Sequence, residues 1–207
     1  MSTAAEGVTA GVAARDAASL VVVAPAGEGG PAVLMGLRGP GHRFSPNRLV
    51  FPGGAVEPED FDAAAATRLP DAVRAALERR AAPRLAVALA HAAARELREE
   101  TGLSLGAPPA LDGLAYLCRA VTPPGAPIRF NARFLMVAAA RVGGVLGGSG
   151  ELEALRFWPV AEAMAADLHP VQRGVLEQVR RRLAGAAEGV GMMLFEQRRW
   201  VEEEGAV

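Results

Sequence analysis

Residues 95–103 read Arg-Glu-Leu-Arg-Glu-Glu-Thr-Gly-Leu. Glu96, Glu99 and Glu100 fall at helical spacings of i, i+3 and i+4 and share one arc of a helix, roughly 100° wide. Gly102 is placed to end that helix as a C′ glycine. Glu99 and Glu100 therefore occupy the last turn, where the helix dipole disfavours negative charge by roughly 0.3–1 kcal/mol each. Glu96 and Glu100 add a like-charge i,i+4 repulsion. A chain selected only for stability would carry Lys or Arg there. A hard cation reverses the sign of both penalties, because Mg²⁺ and similar ions select carboxylate oxygen. The plainer alternative is a solvated helix end with Arg95 pairing to Glu99, a contact worth only about 0.3–0.5 kcal/mol.

Upstream, Pro83 can open this helix, and Leu85, Leu89, Ala93 and Leu97 lie four apart as its buried stripe, which predicts a helix from 83 to 101. Asp71, after Pro70, is a plausible N-cap for a shorter helix to about Arg80. Leu20–Ala24 and Ala32–Leu37 read as a hairpin across a Gly/Pro-rich stretch. Leu49–Phe51, Leu114–Arg119, Phe130–Ala139 and Leu152–Trp158 read as further strands, and helices fit 160–168 and 171–184. Gly143–Gly150 reads as a flexible turn. The pattern fits an α/β fold with a mixed sheet and helices on both faces better than a regular βαβ array. Residues 1–17 read as a flexible N-terminus, 18–185 as the domain, and 186–207 as a tail that packs on the domain or serves a dimer contact.

Composition narrows the chemistry. All 22 basic residues are Arg, so no lysine Schiff base or Walker lysine exists. One cysteine, Cys118, rules out an intramolecular disulfide and a multi-cysteine zinc site. A net charge of −1, dispersed arginines and 5% aromatics argue against nucleic acid as a partner. No apolar run reaches membrane-spanning length, and the first 18 residues lack a basic, then apolar, leader pattern. The expectation is a soluble, cytoplasmic protein.

Phe51-Pro52-Gly53-Gly54-Ala55-Val56-Glu57 is a sharp loop after a strand, and its glycines allow close backbone approach and positive φ. Taken with the 95–103 helix end, it resembles the Nudix hydrolase pattern, G-x5-E-x7-R-E-U-x-E-E-x-G-U, where U is bulky and aliphatic. Gly54 opens the pattern, and Arg95, Glu96, Leu97, Glu99, Glu100, Gly102 and Leu103 fill its second half. Two departures stand out: Asp60 occupies the usual glutamate position, and the seven-residue spacer has become residues 61–94. The split box, with Thr122-Pro123 and Arg129-Phe130-Asn131-Ala132-Arg133-Phe134, looks like the Nudix motif 19 branch, departing at Asn131 and Ala132. The segment Leu34–Arg38 … Arg43 … Phe51–Gly54 keeps the spacing of the coenzyme A diphosphatase motif and departs at Gly36, Gly39 and Asn47.

The resemblance implies a Nudix-type α/β/α sandwich with a helical insertion at about 61–84. It implies Mg²⁺- or Mn²⁺-dependent cleavage of a nucleoside diphosphate linked to another moiety, with coenzyme A or an acyl-CoA as one such substrate. Glu96, Glu99 and Glu100 would bind metal with the Gly53 carbonyl, and Arg95 would orient the loop. Arg38, Arg43, Gly54 and Arg133 are the substrate-binding candidates, with Arg129 the alternative to Arg133. Glu151 and His42 are weaker ones, and His91 and Cys118 read as packing residues. The insertion could form a lid over the site. Competing readings are NADH or ADP-ribose-type diphosphates and a non-catalytic nucleotide-binding module. Homodimerisation is common among relatives.

Overall fold

The computed structural model describes residues 12–39, 47–63, 68–185, 193–196 and 199–202. Its central feature is the long helix α3, Pro83–Thr101, which ends at the sequence-predicted position. Pro83 stands in its first turn, and Gly102 closes it in the left-handed region at φ 73°, its N–H donating to the Arg98 carbonyl. The expected stripe is too narrow. Leu89, Ala93 and Leu97 are fully buried, but so are Ala86, Ala88, Ala90 and Ala92, while Leu85 is only half-buried. The helix is covered on its outer side as well, and alanine permits that close approach.

The cover comes from the insertion. After α1, Pro58–Ala63, helix α2, Asp71–Glu78, buries Val73 and Leu77 in the same cluster as α3, with Leu69 beside them. Residues 68–82 are thus part of the core on one side of the sheet and form no wall of the cavity described below. The lid expectation fails for these residues because their apolar side chains are already spent on packing.

The strands are β1 Arg15–Gly27, β2 Gly30–Arg38, β3 Leu49–Val50, β4 Gly53–Ala55, β5 Leu103–Ser104, β6 Ala115–Val121, β7 Phe130–Ala138, β8 Gly143–Gly144, β9 Leu152–Pro159, β10 Met193–Glu196 and β11 Arg199–Glu202. The main sheet runs β11-β10-β6-β7-β1-β2-β3, with β4 on β1 and β9 on β2. It is mixed: β1 runs parallel to β7 and β10 parallel to β6, while the other pairs are antiparallel. Helices α4, Val160–Ala165, and α5, Pro170–Leu183, cover the face opposite α2 and α3 and bury Val160, Ala163, Val175, Leu176 and Val179 there. The fold is the expected α/β sandwich.

Two expected boundaries move. β1 begins at Arg15, because residues 15–17 pair with β7 and Ala17 also pairs with β4. In the expected tail, 193–196 and 199–202 are strands of the main sheet, and Trp200 packs against the α4–α5 cluster. The 143–150 loop is docked: β8 pairs with β5, and the Gly147 N–H donates to the Thr101 carbonyl at 2.9 Å. Among the described residues, no helix is long and apolar enough to cross a membrane.

Candidate active site

The last turns of α3 lie against β4. The Gly53 N–H donates to Glu100 Oε2 at 2.8 Å. A Cβ on Gly54 would fall 2.2 Å from Glu96 Oε1, and one on Gly53 would fall 2.1 Å from Ser19 Oγ. Neither glycine has positive φ. Close approach of the Glu96 side chain and of the side chain and backbone of β1, not a turn conformation, demands the pair. A loop and a helix end 47 residues apart in sequence thus meet at a hydrogen bond.

Arg95 ties the arrangement together. Its Nε and Nη2 donate to the two oxygens of Asp60, both at 3.1 Å, a bidentate grip. Nη2 also donates to the Ala55 carbonyl at 3.0 Å, and Nη1 to Glu96 at 2.8 Å and Glu99 at 3.1 Å. Burial alone would lower the guanidinium pKa, but the bonds and charges of Asp60 and Glu96 outweigh it and hold it above the ordinary value. The shorter Asp60 serves where a glutamate is usual because α1 brings it inward. It is buried, and the Glu57 N–H donates to its Oδ2 at 2.8 Å.

The carboxylates are short of positive charge. Burial pushes the Glu100 carboxyl up to about 7, opposed by the Gly53 N–H and by Arg38 and reinforced by Glu96 and Glu151. Burial also raises Glu96, against the pull of Arg95, with Glu99 and Glu151 adding to the rise. Glu151 is therefore a neighbour of this cluster, delivered by the docked glycine-rich loop. Glu99 is 46% exposed and contacts Arg95 and Arg98.

These donors fit a divalent cation in kind: all are hard oxygens, partly desolvated and mutually repelling, which a bound cation relieves. Among the described residues, no three His, Cys, Asp or Glu side chains are yet gathered closely enough to hold one. Glu96 and Glu99 are drawn toward Arg95 instead, and Glu99, with half its surface free, is the member able to turn.

The substrate-binding candidates separate. Arg38 lines a cavity of about 420 Å³ beside Gly53 and Gly54, and its charge reaches Glu100. Arg43 and His42 lie outside the described residues. Arg133 is a correction: it is 1% exposed, on the α2–α3 side of the sheet, paired with Asp16 and donating to the Asn131 carbonyl at 2.8 Å and the Arg80 carbonyl at 3.0 Å. It holds the end of the insertion to the sheet and is not available to substrate. Arg129 donates to the Thr122 and Val12 carbonyls. His91 is buried, its pKa lowered by burial against the pull of Asp60, and Cys118 is fully buried. Arg15, Ser19, His169 and Gln172, which line the cavity, carry no motif spacing that would have marked them.

Residues 86–179 match the family model of the NUDIX domain. The match covers 94 of the 207 residues, and over that span the chain resembles a NUDIX domain. The matched span begins inside α3, so the Gly53-Gly54 half of the box falls outside it, as the long spacer between the halves would produce. A NUDIX hydrolase from Alicyclobacillus acidocaldarius has a similar structure, with a TM-score of 0.64 at 24% identity, over 86% of this chain and 98% of that one. The NUDIX domain of Shewanella oneidensis NrtR, crystallised with ADP ribose, gives a TM-score of 0.55 at 16% identity over 85% and 92%. RenU, a Nudix hydrolase from M. smegmatis, gives 0.52 at 20% over 84% and 88%. At these identities the likeness establishes the NUDIX fold. No curated protein matches the sequence.

Proposed function

We propose that this protein is a divalent-metal-dependent pyrophosphohydrolase acting on a nucleoside diphosphate linked to another moiety. The observation that carries the reading is the junction of the two box halves: Glu100 on the Gly53 N–H, Glu96 against Gly54, and Arg95 gripping Asp60. A bound Mg²⁺ or Mn²⁺ would neutralise the pyrophosphate and activate water. Glu96, Glu99 and Glu100 would hold it, with the Gly53 carbonyl. Arg95 fixes the loop on which those carboxylates bear and touches no substrate. Arg38, at the cavity wall beside Glu100, supplies a fork-shaped cation for phosphate oxygen.

The spacing of Leu34–Gly54 makes coenzyme A and its acyl esters the first substrates to test. ADP-ribose-type diphosphates are the second reading, favoured by the likeness to a NUDIX domain that binds ADP ribose. The test is the double variant Glu99→Gln/Glu100→Gln, assayed with Mg²⁺ and Mn²⁺ on CoA esters, NADH, ADP-ribose and nucleoside triphosphates, with products identified by mass. Loss of turnover on the order of 10²–10³-fold or more is expected. Unchanged metal-dependent turnover sinks the assignment.

A further inference from the structure

The cavity beside the Gly53-Gly54 loop has an unusual floor. Ala55 pairs with Ala17, Ala17 with Ala132, and Ala132 with Ala120, so one alanine from each of β4, β1, β7 and β6 stands in lateral register. All four line the cavity. Paired residues share a face of the sheet, and strands lie about 4.8 Å apart, so the row is a flat apolar strip roughly 14 Å long. Two residues to either side along β7, about 7 Å from Ala132, Phe130 and Phe134 border the strip.

Polar side chains border the strip: Arg15 and Ser19 stand two residues to either side of Ala17 along β1, and Glu57, Thr122 and His169 also line the cavity. Arg38 lines the cavity too, and from the first turn of α5 so does Gln172, whose Oε1 is enclosed and meets no donor among the described residues. The amino group of a ring can satisfy such an acceptor. A row of methyl groups between aromatic side chains suits a planar ring, not a branched or flexible chain.

We infer that this alanine strip is the slot for the purine base of the substrate, with Ala17 and Ala132 as the residues that set its depth. The inference rests on the pyrophosphohydrolase reading for the remainder of the ligand, since the slot adjoins the box loop at Gly53 and Ala55. A larger side chain at 132 would stand where the ring lies, while leaving the phosphate-facing Arg38 and the carboxylates untouched.

The experiment is equilibrium binding to the full chain, without turnover, of AMP and of ribose 5-phosphate, which lacks the base. The wild type should bind AMP at least about 10-fold more tightly, the scale of one base stacked on apolar and aromatic side chains. Ala132→Leu should lose most of that advantage while its affinity for ribose 5-phosphate stays within about 2-fold. Thermal melting reports whether the variant is folded, and Ala132→Val, with a smaller excess of volume, gives a graded loss if the leucine is not tolerated. Equal binding of the two ligands by the wild type overturns the inference. So does a folded variant that keeps the AMP advantage or loses both ligands alike. Base-dependent binding without any metal-dependent hydrolysis would instead overturn the catalytic reading and leave the slot standing.

Discussion

Two arginines each sit in a nest of acceptors, and they do different work. Arg133 is sealed between the sheet and the insertion, and its partners are Asp16 and two backbone carbonyls. None of these belongs to the glutamate cluster. Arg95 is also mostly covered, with 11% of its side chain exposed, but two of its partners, Glu96 and Glu99, are the candidate metal ligands. One arginine closes a structure, and the other transmits the position of a loop to the carboxylates. The residue type and the presence of a covered ion pair do not separate them; the identity of the acceptors does.

That contrast can be broken from either side. Arg133→Ala removes a buried donor from Asp16 and from the Arg80 carbonyl, and breaking a buried pair costs about 3–5 kcal/mol, the lower end applying because Asp16 keeps a third of its side chain exposed and still accepts from Asn131. Urea unfolding should show that loss, while the folded fraction keeps its kcat within about 2-fold. A large fall in kcat with little loss of stability would move Arg133 into the site.

The glutamate cluster should instead respond to pH. Glu100 is raised in the folded protein from 4.5 to about 7, so the folded state holds this proton more tightly than the unfolded chain. Stability of the metal-free protein should therefore fall as pH rises from about 4.5 to 7, by at most about 3 kcal/mol from this group, with Glu96 acting in the same direction. Urea midpoints at pH 5 and pH 8 measure it, and Mg²⁺ or Mn²⁺ should recover stability at pH 8. A midpoint that rises between those values without metal contradicts it.

The mildest break is Asp60→Asn, which keeps the shape of the Arg95 contact and removes its charge. Turnover or metal affinity should fall about 10–100-fold, the usual effect of disturbing a residue that orients ligands. Stability should change less than for Arg133→Ala. A variant with wild-type kinetics would reduce Arg95 to a structural tie like its counterpart.

What could be read beforehand follows the same physical division. Helix α3 was legible to both ends because proline, a four-residue apolar spacing and a terminal glycine are local signals. The acidic arc stood out because two acids in the last turn, with a third one turn before, conflict with the dipole and with each other. α1 and β4 were not: a six-residue helix and a three-residue strand with two glycines are made by Asp60 meeting Arg95 and by Gly53 meeting Ser19 and Glu100, contacts between distant segments. Arg133 was misread because a strand covered on both faces gives alternation no polar side to reveal. The alanine floor was invisible for a related reason, since four alanines on four strands become a surface only when the register is known.

The parallel pairing of β10 with β6 has a consequence for handling the protein. A chain cut after residue 185 would retain the box, the cavity and both core clusters, yet it would leave one side of the seven-residue β6 with bare amide and carbonyl groups. Such a row invites another molecule to dock strand on strand. Strand β10 thus covers that edge, and β11 presents the exposed Arg199 at the outer limit of the sheet.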